Sequence, residues 1–207
     1  MHDALIFTSR FCIFAAVHSL LALPPIKKAI IRQSQSGQWI YRLTYNLISL
    51  AMFGWVMASY RNTPVLYVAP GVWSLVMYLV QGAALLMLIL CVRQTGAADF
   101  LGLPGKDYAT PTRSRLVTDG CYRIVRHPLY LFSMLFLLFN PVVTCRWLIL
   151  SALSSVYFVV GALVEERRLL LEYGEEYETC RKTVAFIIPG MAVLRRPPAS
   201  NSRQSAL

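Results

Sequence analysis

Acidic residues are scarce: 10 Asp and Glu stand against 20 Lys and Arg in 207 residues, and charged residues make up only 14% of the chain. That fraction, beside 57% hydrophobic content, excludes an ordinary soluble domain, in which about a quarter of the residues are charged. Cysteine is sparse and dispersed. Cys12, Cys91, Cys121, Cys145 and Cys180 never fall in CxxC spacing, so neither a disulfide framework nor a zinc site is expected. No window alternates apolar and polar residues as a half-buried strand would. No GxGxxG follows a strand, and "GLPGK" fails as a phosphate loop because Phe100 and Asp107 occupy the places of the required Gly and Ser or Thr. The chain also lacks internal repeats, which argues against the paired halves of many secondary transporters.

What the chain has is length of apolar sequence. Windows at 4–23, 39–60, 71–92, 128–143 and 146–164 approach the roughly 20 residues needed to cross a bilayer. The fourth is short, as expected of a tilted helix or half of a tight hairpin with the fifth. Pro24-Pro25, Pro64, Pro70 and Asn140-Pro141 punctuate the windows where helices should stop. Helices satisfy their own backbone in lipid, so the expected fold is an all-α, polytopic membrane protein of about five spans with a cytoplasmic C-terminal helix. The first window lacks a basic n-region and is too long for a secretory signal, so a retained helix is expected.

Five alternating spans with the N-terminus outside place 17 of the 20 basic residues on the inner side and leave Arg61 and Arg146 in outer loops. This bias fixes the orientation. It also accounts for the net charge of +10 through anionic lipid at the cytoplasmic face, so no nucleic acid is implied. Residues 1–92 read as an N-terminal three-helix membrane part, 93–190 as the functional part, and 191–207 as a polar, proline-containing disordered tail. The 35-residue connector "RQTGAADFLGLPGKDYATPTRSRLVTDGCYRIVRH" is too long for a minimal turn.

That connector ends in Arg126, His127 and Tyr130, with Pro128 suited to a first helical turn. Glu165 and Glu166 close the fifth window, and an antiparallel hairpin would bring both clusters to one edge. Each residue also has an ordinary interfacial use: Arg snorkels, Tyr anchors, and the glutamates can pair with Arg168. Taken in order, "LVTDGCYRIVRHPLY", a hydrophobic hairpin, "EERRLLLEYGEEY" and "IIPG" over about residues 114–190 resemble the integral-membrane methyltransferases, which include isoprenylcysteine carboxyl methyltransferase and phospholipid N-methyltransferase. The resemblance implies S-adenosyl-L-methionine as cofactor, without a metal. It maps the cofactor pocket to Ser114, Arg115, Leu116, Val117, Tyr122, His127, Pro128, Leu129, Tyr130 and Glu165, with Arg126 orienting substrate or cofactor. Glu166, about 100° further round the helix, is expected to face solvent or Arg168.

"FAAVHSLLAL", "YRLTYNLISL" and "DFLGL" narrow the resemblance to the subgroup of methanethiol S-methyltransferases and NnrU-like proteins. His18 and Arg42, the latter one turn from Asn46, become candidate catalytic groups beside Arg126, because ionisable groups within a membrane are costly. The implied partners are the lipid bilayer and a small lipophilic or thiol acceptor, in an inner or plasma membrane with a cytoplasmic active site; the oligomeric state is left open. Thr183 stands where the prenylcysteine enzymes carry an Arg for a substrate carboxylate, which disfavours that substrate. The alternatives are a non-catalytic NnrU-like assembly factor, or a methyltransferase of phospholipid or prenylcysteine.

The charge bias makes one direct prediction. Reporters fused at Arg61 and after residue 207 should report opposite compartments; the same compartment at both would dissolve the shared cytoplasmic edge.

Overall fold

A computed structural model describes residues 2–34, 37–60, 63–103 and 116–190. Seven α-helices are built among these residues: α1 (His2–Ala22), α2 (Pro24–Ser34), α3 (Gln38–Met57), α4 (Val72–Leu101), α5 (Pro128–Leu138), α6 (Cys145–Tyr173) and α7 (Glu175–Thr183). The fold is all-α, as expected of a membrane protein. Three helices are long and apolar enough to cross a bilayer, within His2–Ala22, Val72–Ala98 and Cys145–Tyr173. The long helices expose Leu79, Leu86, Val160 and Val164, a surface suited to lipid rather than water. α3 is long enough but too polar to meet the same standard, and the 11 residues of α5 rise only about 16 Å, roughly half of a hydrocarbon core.

Local chemistry sets several helix ends. Pro128 sits in the first turn of α5, where its missing N–H costs nothing. Thr144 caps α6 by accepting from Trp147 N–H at 3.1 Å. The free carbonyl of Leu137 at the end of α5 accepts from the Trp147 indole at 2.7 Å and from the Ser151 hydroxyl at 3.3 Å, which holds α5 and α6 as a hairpin. Arg146 reaches the carbonyls of Met57 and Tyr60 at 3.5 and 3.4 Å, so it closes the end of α3.

The buried core, built on Phe7, Phe11, Val56, Tyr60 and Leu150, joins the start of α1, the end of α3 and the start of α6. It therefore lies at one end of the bundle, opposite the end of α4, the start of α5 and the end of α6. That opposite end is held by α3, where Asn46 donates to the Phe100 carbonyl at 3.0 Å.

Four expectations from the sequence are corrected. Two short strands exist, β1 (Val65–Val68) and β2 (Val142–Thr144), paired antiparallel with Val65 opposite Thr144 and Val68 opposite Val142. Their β-branched residues suit strands, but runs of four and three residues are too short to show alternation. Pro24-Pro25 starts helix α2 rather than merely ending α1. Apolar content also misjudged length: α4 runs nine residues past 92, and α6 runs nine past 164. Finally, Cys91 and Cys121 are paired as a disulfide although they are 30 residues apart, which no local spacing rule can detect.

Gly102 offers a test of the packing between α3 and α4. Its φ is +74°, and a Cβ there would collide with the backbone of Arg42 and Leu43. Gly102→Ala should lose at least about 1–2 kcal/mol from the left-handed backbone alone, read as a lowered thermal midpoint in detergent. Gly54→Ala, in open space within α3, should be neutral or slightly stabilising.

Candidate functional site: a cavity at the hairpin edge

The approach to α5 is a short backbone framework. A 3-10 turn at Gly120–Arg123 is tied to α4 by the Cys91–Cys121 disulfide and by Gln94, which accepts from Cys121 N–H at 3.1 Å and donates to the Asp119 carbonyl at 2.5 Å. Next, Val125 bridges Ala185 in parallel. Arg126 N–H donates to the Ala185 carbonyl at 2.8 Å and His127 N–H to that of Phe186 at 3.3 Å. The segment after α7 thus serves as a partner strand for the polar residues that precede α5.

A cavity of about 440 Å³ opens beside this framework, within the range of small-molecule sites. Leu116, Val117 and Tyr122 line it from the approach segment; Arg126, His127, Pro128, Leu129 and Tyr130 from the start of α5; and Glu165 from α6. Nine of the residues that the sequence singled out therefore share one wall system. Ser114 and Arg115 lie outside the described residues. The lining includes neither His18 nor Arg42. His18 instead lies 2.9 Å from the Ser49 hydroxyl and 2.8 Å from that of Tyr45, and its ring meets Tyr157 edge-on at 6.2 Å. It stands behind the wall, one residue removed from the lining Phe158. Asn46, the neighbour of Arg42 on α3, holds the Phe100 carbonyl and so fixes a lining residue rather than lining the cavity itself.

Sequence reasoning missed other lining residues. Thr95 and Phe100 come from the extension of α4, on either side of its kink at Gly96, while Tyr173 ends α6. Tyr177 and Cys180 come from α7, which departs from α6 at Gly174, a residue with φ +57°. Tyr173 and Tyr177 stand four residues apart in the sequence, a helical spacing, but the direction in which they point is not carried by that spacing.

The largest correction concerns Glu166. Its Oε1 lies 2.8 Å from Arg126 Nε, 3.1 Å from His127 Nε2 and 2.5 Å from the Tyr177 hydroxyl. Its Oε2 receives Arg126 Nη2 at 3.1 Å and Arg181 Nε at 3.2 Å. It points inward and pairs with Arg126, for which the sequence implied a role toward substrate or cofactor, and with Arg181. Arg168 instead approaches Glu165, at 3.9 Å. Arg126 also donates to the carbonyls of Val184 at 2.5 Å and Arg181 at 3.2 Å. Its guanidinium is thus held by the protein on several sides, the bidentate geometry that Arg favours.

Electrostatics agree with a closed site. Burial, then the negative charge of Glu165, pushes the Tyr122 phenol up to about 12. Burial and the hydrogen bond to Glu166 raise Tyr177 as well. Burial also raises the Cys180 thiol, so it remains a neutral wall group rather than a thiolate. Among the described residues, no group of three His, Cys, Asp or Glu side chains is placed to hold a metal ion.

Fold and site together define an all-α integral membrane protein with a small-molecule cavity at one edge of its terminal helical hairpin. The chain belongs to the NnrU family, whose model, described as NnrU protein, matches residues 6–194. Methanethiol S-methyltransferase 1 of Bradyrhizobium diazoefficiens is 38% identical over 87 residues, covering 42% of this chain and 30% of that protein. The methanethiol S-methyltransferase of Pseudomonas deceptionensis is 33% identical over 92 residues, 44% of this chain and 34% of its own. Methanethiol S-methyltransferase 2 of B. diazoefficiens is 26% identical over 199 residues, 89% of this chain and 72% of its own. The matched region thus spans about a third of the first two relatives. No solved structure matches the chain.

The two glutamates should separate in stability. Glu166→Ala would leave Arg126 and Arg181 together without their carboxylate, at side-chain exposures of 10% for Arg126 and 11% for the lost glutamate, which should cost about 3–5 kcal/mol. Glu165→Ala removes a partly exposed pair and should cost no more than about 1 kcal/mol. Thermal unfolding of both variants in detergent checks the ranking.

Proposed function

We propose that this protein is an S-adenosylmethionine-dependent membrane methyltransferase whose acceptor is a small thiol or another lipophilic molecule reached from the bilayer. The observation that supports it most is Glu165, a carboxylate on the cavity wall with only a distant cation, facing His127 from the opposite arm of the hairpin. Relatives named as methanethiol S-methyltransferases support the same reading and suggest the thiol.

The residues fit the cofactor chemically. Its ammonium and sulfonium groups call for a carboxylate and for aromatic faces, and the lining offers Glu165 with Tyr122, Tyr130 and Phe158. When bound, the cofactor supplies an electrophilic methyl group on a cationic sulfur. Glu165 attracts cationic charge to the polar end of the cavity. The aromatic walls and Leu129 exclude water, which strengthens every electrostatic interaction inside. The framework that ties 125–127 to 185–186 keeps the two arms in register, so that reacting groups are held close. Phe100, Phe158 and Leu169 form an apolar flank suited to an acceptor that partitions into lipid.

The test uses the purified chain in detergent, supplied with methyl-labelled cofactor and separate pools of small thiols, phospholipids and prenylcysteines. Label is expected in the thiol pool, and Glu165→Gln should lower both cofactor affinity and labelling. Label in a lipid pool would replace the acceptor class. Cofactor binding with no label in any pool would favour a non-catalytic family role, and absence of binding would end the reading.

A further inference from the structure

Hydroxyl groups inside a helical bundle commonly donate to a carbonyl one turn back or on a neighbouring helix. Thr95 donates to the Cys91 and Val92 carbonyls at 3.3 and 3.2 Å, and Ser151 to that of Leu137 at 3.3 Å. Tyr130, on the cavity wall, is hydrogen-bonded to Glu165. Two serines depart from this pattern. Ser133 lines the cavity from α5, and Ser154, on α6, is only 6% exposed. Neither hydroxyl has a hydrogen-bond partner among the described residues, a costly state for a group removed from water. Ser155 also lacks a partner, but its oxygen is fully enclosed, so no ligand reaches it.

The register of the hairpin sets the two serines at one level. The Leu137 carbonyl meets Ser151, and the ring of Tyr130 meets that of Phe158 at 5.8 Å. Ser133 and Ser154 fall between these two contacts, one on each helix. Ser133 follows the lining Tyr130 by three residues, and Ser154 precedes the lining Phe158 by four, spacings that keep each on its neighbour's face. Both therefore stand about one helical turn, roughly 5 Å, further from the polar end of the cavity than Tyr130 and Phe158. We propose that Ser133 and Ser154 are the recognition groups for the acceptor and bind the S–H of a small primary thiol. The proposal rests on the functional reading above and adds to it the groups that select the acceptor. A serine hydroxyl carries one donor and two acceptor lone pairs. Two of them facing one space accept from a thiol's S–H and donate to its sulfur, a combination that an alkyl chain does not match. The methylated product is a thioether without that proton, so it is held less well than the thiol from which it forms.

Ethanethiol and dimethyl sulfide are isomers that differ in whether the sulfur carries a proton. Each is titrated, with ¹³C-labelled methyl groups, into the purified protein in detergent, and the chemical shift is read against empty detergent. Ethanethiol should bind the wild type more tightly than dimethyl sulfide. Ser133→Ala and Ser154→Ala should each weaken ethanethiol about 3- to 10-fold and change dimethyl sulfide much less. Ser155→Ala should leave ethanethiol as in the wild type, and S-adenosylhomocysteine should bind all three variants equally well. Equal weakening of both isomers, weakening of neither, or a Ser155→Ala loss matching that of Ser154→Ala overturns the proposal and leaves these serines to packing or to bound water. S-adenosylhomocysteine bound without any binding of ethanethiol keeps the methyltransferase reading and removes the thiol site. Should S-adenosylhomocysteine not bind, the functional reading fails separately, and the comparison of the isomers still decides whether the serines recognise a thiol.

Discussion

The bidentate pair between Arg126 and Glu166 joins parts of the chain that are far apart in sequence. Arg126 ends the approach to α5, Glu166 lies deep in α6, and the same guanidinium holds the carbonyls of Arg181 and Val184 beyond α7. Removing two charges from water is costly, and their attraction offsets this only when every remaining donor and acceptor is met. Here both carboxylate oxygens are met, with Tyr177, His127 and Arg181 completing the set. The pair fixes a relation among α5, α6 and α7 that packing of exposed apolar helices would leave loose.

From that fixed relation the cavity follows. α5 is too short to traverse the hydrocarbon core, so its polar start and the charged part of α6 meet at one edge. The connector before α5 is then anchored to α4 through Gln94 and the Cys91–Cys121 disulfide, which sets Tyr122 against the same space. α4 bends at Gly96, and its last turn, held by Asn46 of α3, contributes Phe100. The helices before the connector thus reach the site through two wall residues of α4, Thr95 and Phe100, and through α3, which supports the second, while His18 and Arg42 do not line it.

Much of this was legible and some could not have been. The all-α membrane class and the hairpin follow from apolar length and from Pro128, while the gathering of 116–130 with Glu165 is what the family resemblance implies. Glu166 was misread for a specific reason. The 100° step between adjacent helical residues is correct, but which of two directions is inward depends on what covers the helix. α7 folds back after Gly174 and supplies a second inner face, a fact carried by one glycine's backbone and by no periodicity. The ends of α4 and α6 were misplaced similarly, because hydropathy marks where lipid ends and not where a helix ends; Glu165, Glu166 and Arg168 are carried on within α6 and pair with other protein groups. The disulfide joins residues that only the tertiary fold brings together.

The chain enters α5 through Arg-His-Pro because the polar groups of that triplet are already paired. An unpaired Arg at that depth would be expensive, but Arg126 arrives already matched with Glu166, and the N–H groups of Arg126 and His127 are already bonded to the closing segment. Proline then begins α5 with no N–H to satisfy. Neutralisation is unequal across the two glutamates, and the inequality has a consequence. Glu166 has two guanidiniums within 3.2 Å. Glu165 has one at 3.9 Å on a side chain 55% exposed, a pairing weakened by solvent. The carboxylate with the weaker guanidinium pairing is the one on the cavity wall. An arrangement that fully shields one acid and leaves its neighbour open is what an attractive site for a cation requires, because the open charge then acts across a low-dielectric space and not against competing cations of the protein itself.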